Sequence, residues 1–385
     1  IPVRGALFDR LTGLKSEGGA AVALDRLAET LLEQKDYHKL FDARMLRRKF
    51  EMGLPLSRPA SLQDVPEEKR KEVEEAYVDA AREAGQNFLK AGDIPSAWMY
   101  MQVVREPQPV ADAIAALPVT DEHGEQQEQI VQIALYQGVN PEAGLQMMLR
   151  SHGTCSSITA LDQVLHTLSP EPRESCAKIM VQNLYRDLQG SVLRHVQQRV
   201  PTIEPDTSLK QLLAGRDWLF EEGGYHIDVS HLSSVVRFAR NINPPAEELE
   251  QAIQLCEYGR QLDPRLQYGS EPPFDDYYPA HIAFFSALLD KDRDAALQQF
   301  RDKIAAAEDE QSKALPAFVL VDLLIRCDRA EEAVTIAAEH LADLNDDASF
   351  SFADLCAQTG RFDLLRDVTS RRNDPVGFTA ALLQE

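Results

Sequence analysis

From about Gly18 to the C-terminal end, apolar residues recur every three or four positions, the spacing that lays one apolar stripe along an α-helix. Leu232, Val235, Val236 and Ala239 follow the i, i+3, i+4, i+7 rule, which predicts a helix beginning near Asp228 or Ser230. Stretches alternating with a period of two are scarce and no hairpin turn stands out, so a continuous sheet is not expected. Pro and Asn, Asp or Ser punctuate the pattern roughly every 15 to 25 residues. Asn140-Pro141, Ser169-Pro170 and Asp374-Pro375 each set a capping residue before a proline at the first helical position, where proline forfeits no hydrogen bond. Asp64-Val65-Pro66-Glu67 and Asp328-Arg329-Ala330-Glu331 read as capping boxes.

Several segments pair a long helix with a short polar turn and a second helix that opens on small residues. Leu288 to Arg293 leads into Ala295-Ala296-Leu297 and Phe300, and Leu323 to Arg329 leads into Glu332-Ala333-Val334 and Ala337. Asn87 to Asp93 before Ser96-Ala97-Trp98, and Thr359-Gly360-Arg361-Phe362, follow the same plan. The turn Asp292-Arg293 recurs as Asp328-Arg329, 36 residues on (328 − 292). Small residues at Ala296 and Ala333 suit helices that must approach closely just after a turn. On these residues the chain resembles the tetratricopeptide superfamily, over roughly Pro279 to Thr369 and less closely over Ala81 to Leu117; the first-helix aromatic, Gly and Tyr positions of that pattern are not kept. The resemblance implies an all-α fold of stacked antiparallel helical hairpins, forming a curved superhelix whose concave groove binds partners. Three regions are expected: an N-terminal helical region over 1–137, an irregular central region over 138–280, and tetratricopeptide-like repeats over 281–385.

The central region holds the residues that suggest chemistry. In Gly223-Gly224-Tyr225-His226-Ile227-Asp228-Val229-Ser230-His231, the glycine pair allows a tight approach, and His226 and Asp228 would point the same way in extended chain. His231 in the next helical turn would join them, and two imidazoles with a carboxylate are a common set for zinc, iron or manganese. The alternative is that Asp228 caps the helix with the two histidines merely flanking it. Further along, the stretch from Arg265 to Pro279 is long for a connection inside a compact domain. It combines Tyr268 and Tyr277 with the adjacent carboxylates Asp275 and Asp276, and runs into His281. Tyr225, Tyr268, Tyr277, Asp275 and Asp276 suit a small polar ligand, by ring stacking and hydrogen bonding. His281 or Asp276 would complete a metal shell if the loop folded over His226. The other reading of the loop is a linker whose aromatics tuck onto neighbouring helices. At Ser151-His152-Gly153-Thr154-Cys155, Gly153 ends one helix and Thr154 caps the next; a thiolate at Cys155 beside His152 is the sharper reading.

Charge narrows the partners. Sixty-two acidic against 40 basic residues leave a formal net charge of −22, a field that repels phosphate backbones and anionic lipid, so neither nucleic acid nor membrane is expected. The dense basic cluster Arg44, Arg47, Arg48 and Lys49 reads as a solvated helix face. Five widely spread cysteines without a CxxC pair fit reduced thiols, and with no leader-like start the expectation is a cytoplasmic, soluble chain. No phosphate loop, dinucleotide fingerprint, HExxH or nucleophile elbow is found. The expected function is therefore a helical-repeat scaffold whose groove binds a protein segment or small ligand. The alternative is a metal-dependent hydrolase, isomerase or lyase using His226, Asp228, His231 and His281.

Overall fold

In a computed structural model, which describes residues 2–118, 124–267, 269–342 and 350–384, every regular element is helical. Among the described residues there is no strand, and no helix is long and apolar enough to cross a membrane. Contacts divide the chain into two compact units, Ile1–Gly153 and Thr154–Glu385.

The first unit runs α1 (Pro2–Glu33), α2 (Tyr37–Glu51), α3 (Glu67–Lys90), α4 (Ile94–Val104), α5 (Gln108–Ala115), α6 (Glu125–Val131) and the start of α7 (Pro141–Val164). Three apolar clusters hold it together, each formed where successive stripes meet: Leu31, Leu40 and Phe88; Met45, Val73 and Ala81; Met101, Ile114 and Ile130. The expected solvated basic face is only partly one. Arg44 makes a paired ionic contact with Glu83, both bonds 2.7 Å, and Arg48 reaches Glu72 at 3.0 Å. Lys49, by contrast, is buried, and its ammonium donates to the carbonyls of Arg58 and Ser61 at 2.7 and 2.6 Å. Its position one residue past Arg48 turns it toward the core, and the carbonyls of the Gly53–Pro66 connection replace its water. Asp64 does not cap α3: Pro66 occupies that position, with no side-chain bond to the helix.

The second unit contains α8 (Pro170–Gln197), the short α9 (Leu209–Leu213), a 3₁₀ segment (Asp217–Gly223), α10 (Val229–Ala239), α11 (Glu247–Arg260), α12 (Tyr277–Leu288), α13 (Arg293–Ala306), α14 (Glu310–Arg326), α15 (Ala330–His340), α16 (Phe352–Thr359), α17 (Phe362–Arg371) and α18 (Pro375–Leu382). From α10 onward each helix packs on the next in sequence, as consecutive rods must when each buries its stripe against its neighbour. The two recurrent turns differ in register: Asp292 is the residue that precedes α13, whereas Asp328 stands one residue further out from α15 and matches Asp290 in its hydrogen bonding. Asp292 and Asp328 both take a left-handed backbone, φ +47° and +60°, and Ala296 and Ala333 beyond them are buried. The left-handed turn uses Asp328 one residue too early to cap α15, whose N-terminal neighbour is Arg329 without a side-chain bond. Asn140 and Asp374 do cap their helices, Asn140 Oδ1 accepting from Ala143 N and Asp374 Oδ1 from Val376 N and Gly377 N. Ser169 sits at the cap position without a side-chain bond.

Candidate functional site

The side chains that the sequence singles out at 223–231 lie against the outer face of α8. The turn that carries them depends on glycine at two places. Gly223 has φ +74°, and a Cβ on Gly224 would stand 3.0 Å from the Leu219 carbonyl oxygen. The chain can therefore fold back tightly on its own 3₁₀ segment, and this delivers His226 to α8.

His226 is half-buried, and both of its ring nitrogens are engaged. Its backbone N–H donates to the Tyr258 hydroxyl at 2.7 Å, its Nδ1 lies 3.1 Å from the same hydroxyl, and its Nε2 lies 2.8 Å from His195 Nδ1. Tyr258 is fully buried, so its own proton needs an acceptor, and His226 Nδ1 supplies one. That fixes the order of protons: Tyr258 O–H to His226 Nδ1, then His226 Nε2–H to His195 Nδ1. Burial first, and the neighbouring His195 second, pull the His226 imidazole down to about 4, so it is neutral at pH 7. Burial pushes the Tyr258 phenol up, keeping its proton in place. Trp218 stands edge-on to His195 with ring centres 5.2 Å apart, and the Arg199 guanidinium lies 4.1 Å over the Trp218 ring.

Two adjoining clefts open on either side of this chain of bonds. One, of about 320 Å³, reaches from Thr154 past Arg186, Asp187 and Gly190 to His231. The other, of about 620 Å³, reaches from Gln198 and His195 to Gly224, Tyr225 and Asp228. Ser191, Arg194, His226 and Ile227 line both, so together they form one groove along α8. Its floor repeats every helical turn: Arg186, Gly190 and Arg194 on one line, Asp187, Ser191 and His195 on the next.

The other expected site residues are spent on structure. Asp228 caps α10, its Oδ1 accepting from Ser230 N at 2.8 Å and His231 N at 3.4 Å. Hydrogen bonding from Ser230 holds its carboxyl below the usual range. His281 lies on α12 with 1% of its surface exposed, stacked 4.2 Å from Phe274, with Nδ1–H donating to the Tyr277 carbonyl at 2.7 Å. Tyr277 is buried and donates its hydroxyl to the Ser233 carbonyl. Asp275 and Asp276 are both bound by Lys303, at 2.6 and 2.8 Å. Phe274 inserts between His281, Phe284 and Phe300, so the long loop packs down on α12 and α13. Tyr268 lies outside the described residues. Of the named set, His226, His231, Tyr225 and Asp228 line the groove. Among the described residues no three His, Cys, Asp or Glu side chains gather as a metal site requires.

His195, Tyr258, Arg186 and Arg194 were not visible as site residues in the sequence. His195 and Tyr258 lie 31 positions before and 32 after His226. The one local signal was the line Arg186-Gly190-Arg194, a glycine between two arginines at exact helical spacing. At Gly153 the backbone turns left-handed, φ +74°, as expected of a helix end; Cys155 beyond it is exposed. No family model matches the chain, and comparison with curated proteins and with solved structures gave no match.

Proposed function

We propose that the chain is a helical-repeat binding protein of tetratricopeptide type, and that the groove along α8 takes an extended segment of another protein. The packing of each helix of the second unit on the next, from α10 onward, supports the repeat reading, with the matching turns at Asp290 and Asp328 and the buried Ala296 and Ala333 that follow them. The observation that carries the binding reading is the groove itself. From Arg186 to Gln198 it follows about 18 Å of helix, the length of five or six residues of extended peptide. Along it the side chains of Arg186, Ser191, Arg194 and Gln198 have no hydrogen-bond or ionic partner among the described residues. Donors left free along an open groove are what a bound backbone and its side chains would use.

A displayed library of short random peptides tests this, with the Gly190→Trp variant as the control. The substitution sets an indole on the groove floor, where only the Arg194 guanidinium lies within 4 Å of a Cβ. Enriched peptides should bind the unmodified chain and lose at least about tenfold on the variant. Peptides that bind both equally contradict the assignment.

One observation favours a second reading, an enzyme using acid–base chemistry: the ordered Tyr258–His226–His195 chain, which orients the His195 ring at the groove edge. In that reading His195 exchanges a proton with the substrate, and His195→Gln would lower turnover by about a hundredfold or more. Turnover unchanged by that substitution contradicts it.

A further inference from the structure

Resting on the groove assignment above, we infer that the segment it binds is acidic, with two carboxylates four residues apart in extended chain. The chain carries 22 more acidic than basic residues, and about half of its arginines are tied to one of them. Arg82 holds Glu106, Arg237 holds Asp162, and Arg301 holds Glu332. Arg186 and Arg194 on α8 belong to the other half, and they share one groove. Neither Arg186 nor Arg194 meets a carboxylate within 4.0 Å among the described residues, and Arg199 rests on Trp218 instead. Two guanidiniums without a carboxylate, two turns apart along one groove, are available to acids from outside.

The acids that face the groove do not fill that role. Asp228 is consumed by the α10 cap, and Asp187 accepts a hydrogen bond from Asn183 at 3.3 Å. Between the arginines lies Gly190, one turn from each, so nothing but hydrogen covers the floor there. A carboxylate can descend beside Arg194, whose nearest guanidinium nitrogen is 3.5 Å from where a Cβ would be. Eight helical residues separate the two arginines, about 12 Å along the axis. Four residues of extended chain cover about 13 Å and return side chains to the same face. The geometry therefore fits Glu-x-x-x-Glu better than adjacent acids. The field of the distant acids is screened beyond about 8 Å at physiological salt, which leaves Arg186 and Arg194 to outweigh only the nearer Asp187 and Asp228.

The test is fluorescence anisotropy on the full chain at physiological ionic strength, with labelled nonapeptides of Gly and Ser. One carries Glu at positions 3 and 7, one carries Gln at both, and one carries Glu at 3 and 4. The first should bind at least tenfold more tightly than either other, and the double variant Arg186→Gln/Arg194→Gln should erase that preference. Equal binding of the Glu and Gln peptides, both lost in Gly190→Trp, would overturn the acidic specificity and leave the groove standing. Binding of neither up to about 1 mM would overturn both. Displacement by inorganic phosphate at equal concentration would show a simple anion site and overturn the peptide assignment.

Discussion

The buried imidazole of His281 makes a pH-dependent demand on stability that can be worked from its surroundings. It is 1% exposed, stacked on Phe274, and within the field of Arg240. Burial, the largest influence, pulls it down to about 3; the bond to the Tyr277 carbonyl opposes this and the Arg240 charge adds to it. In unfolded chain a histidine titrates near 6.5. A folded value below the unfolded one means that the neutral ring stabilises the native state fully above about pH 6.5. That contribution is lost progressively as the pH falls toward 3, because the unfolded chain takes up the proton first. At pH 5 the gap is about 1.5 units, or about 2 kcal/mol at 1.36 kcal/mol per unit. His281→Leu removes the titration while keeping an apolar side chain against Phe274, and leaves the Tyr277 carbonyl its helical partner. Urea unfolding should be followed by Trp218 fluorescence in a Trp98→Phe background, at pH 7 and pH 5. The parent should lose about 2 kcal/mol more between the two than His281→Leu does. Equal losses would refute the reasoning, since every other titrating group is common to both proteins.

Two further outcomes follow from single side chains. Lys49→Met leaves the Arg58 and Ser61 carbonyls without their buried ammonium, and should destabilise the first unit by about 2 to 4 kcal/mol in urea unfolding; a change under 0.5 kcal/mol would mean that water replaces it freely. Asp228→Ala removes the α10 cap and should cost about 1 kcal/mol, and Asp228→Asn should restore most of it; failure of Asn to do so would assign the carboxylate a charge-dependent role beyond capping.

Periodicity was enough to read the helical class, because a buried stripe is written locally every three or four residues, but not the bounds: it was evident from about Gly18, whereas α1 runs from Pro2. Leu232, Val235, Val236 and Ala239 are buried as their spacing required. Capping was less legible. Asp228 and Asp374 cap, while Asp64 and Asp328 do not, because a shift of one or two residues in where the chain turns takes the carboxylate out of reach of the first-turn amides. The basic cluster misled at Lys49 for the same reason. One residue is 100° on a helix, enough to move an ammonium from water to core. The groove was half legible. His226 stood out beside two glycines, but its partners arrive from α8 and α11 through tertiary packing, which no local spacing encodes. The aromatic and acidic loop attracted attention for its composition. Yet Phe274 and Lys303 show that composition serving the core and an ion pair.

The chain has two tryptophans, and one of them, Trp218, lies beneath Arg199 and edge-on to His195, which lines the groove. In the Trp98→Phe protein, titration with the peptide bearing Glu at positions 3 and 7 should therefore change Trp218 emission in a saturable way, with the change absent in Arg186→Gln/Arg194→Gln. A Trp218 signal that stays flat while anisotropy reports binding would place the peptide elsewhere, and would contradict the groove along α8.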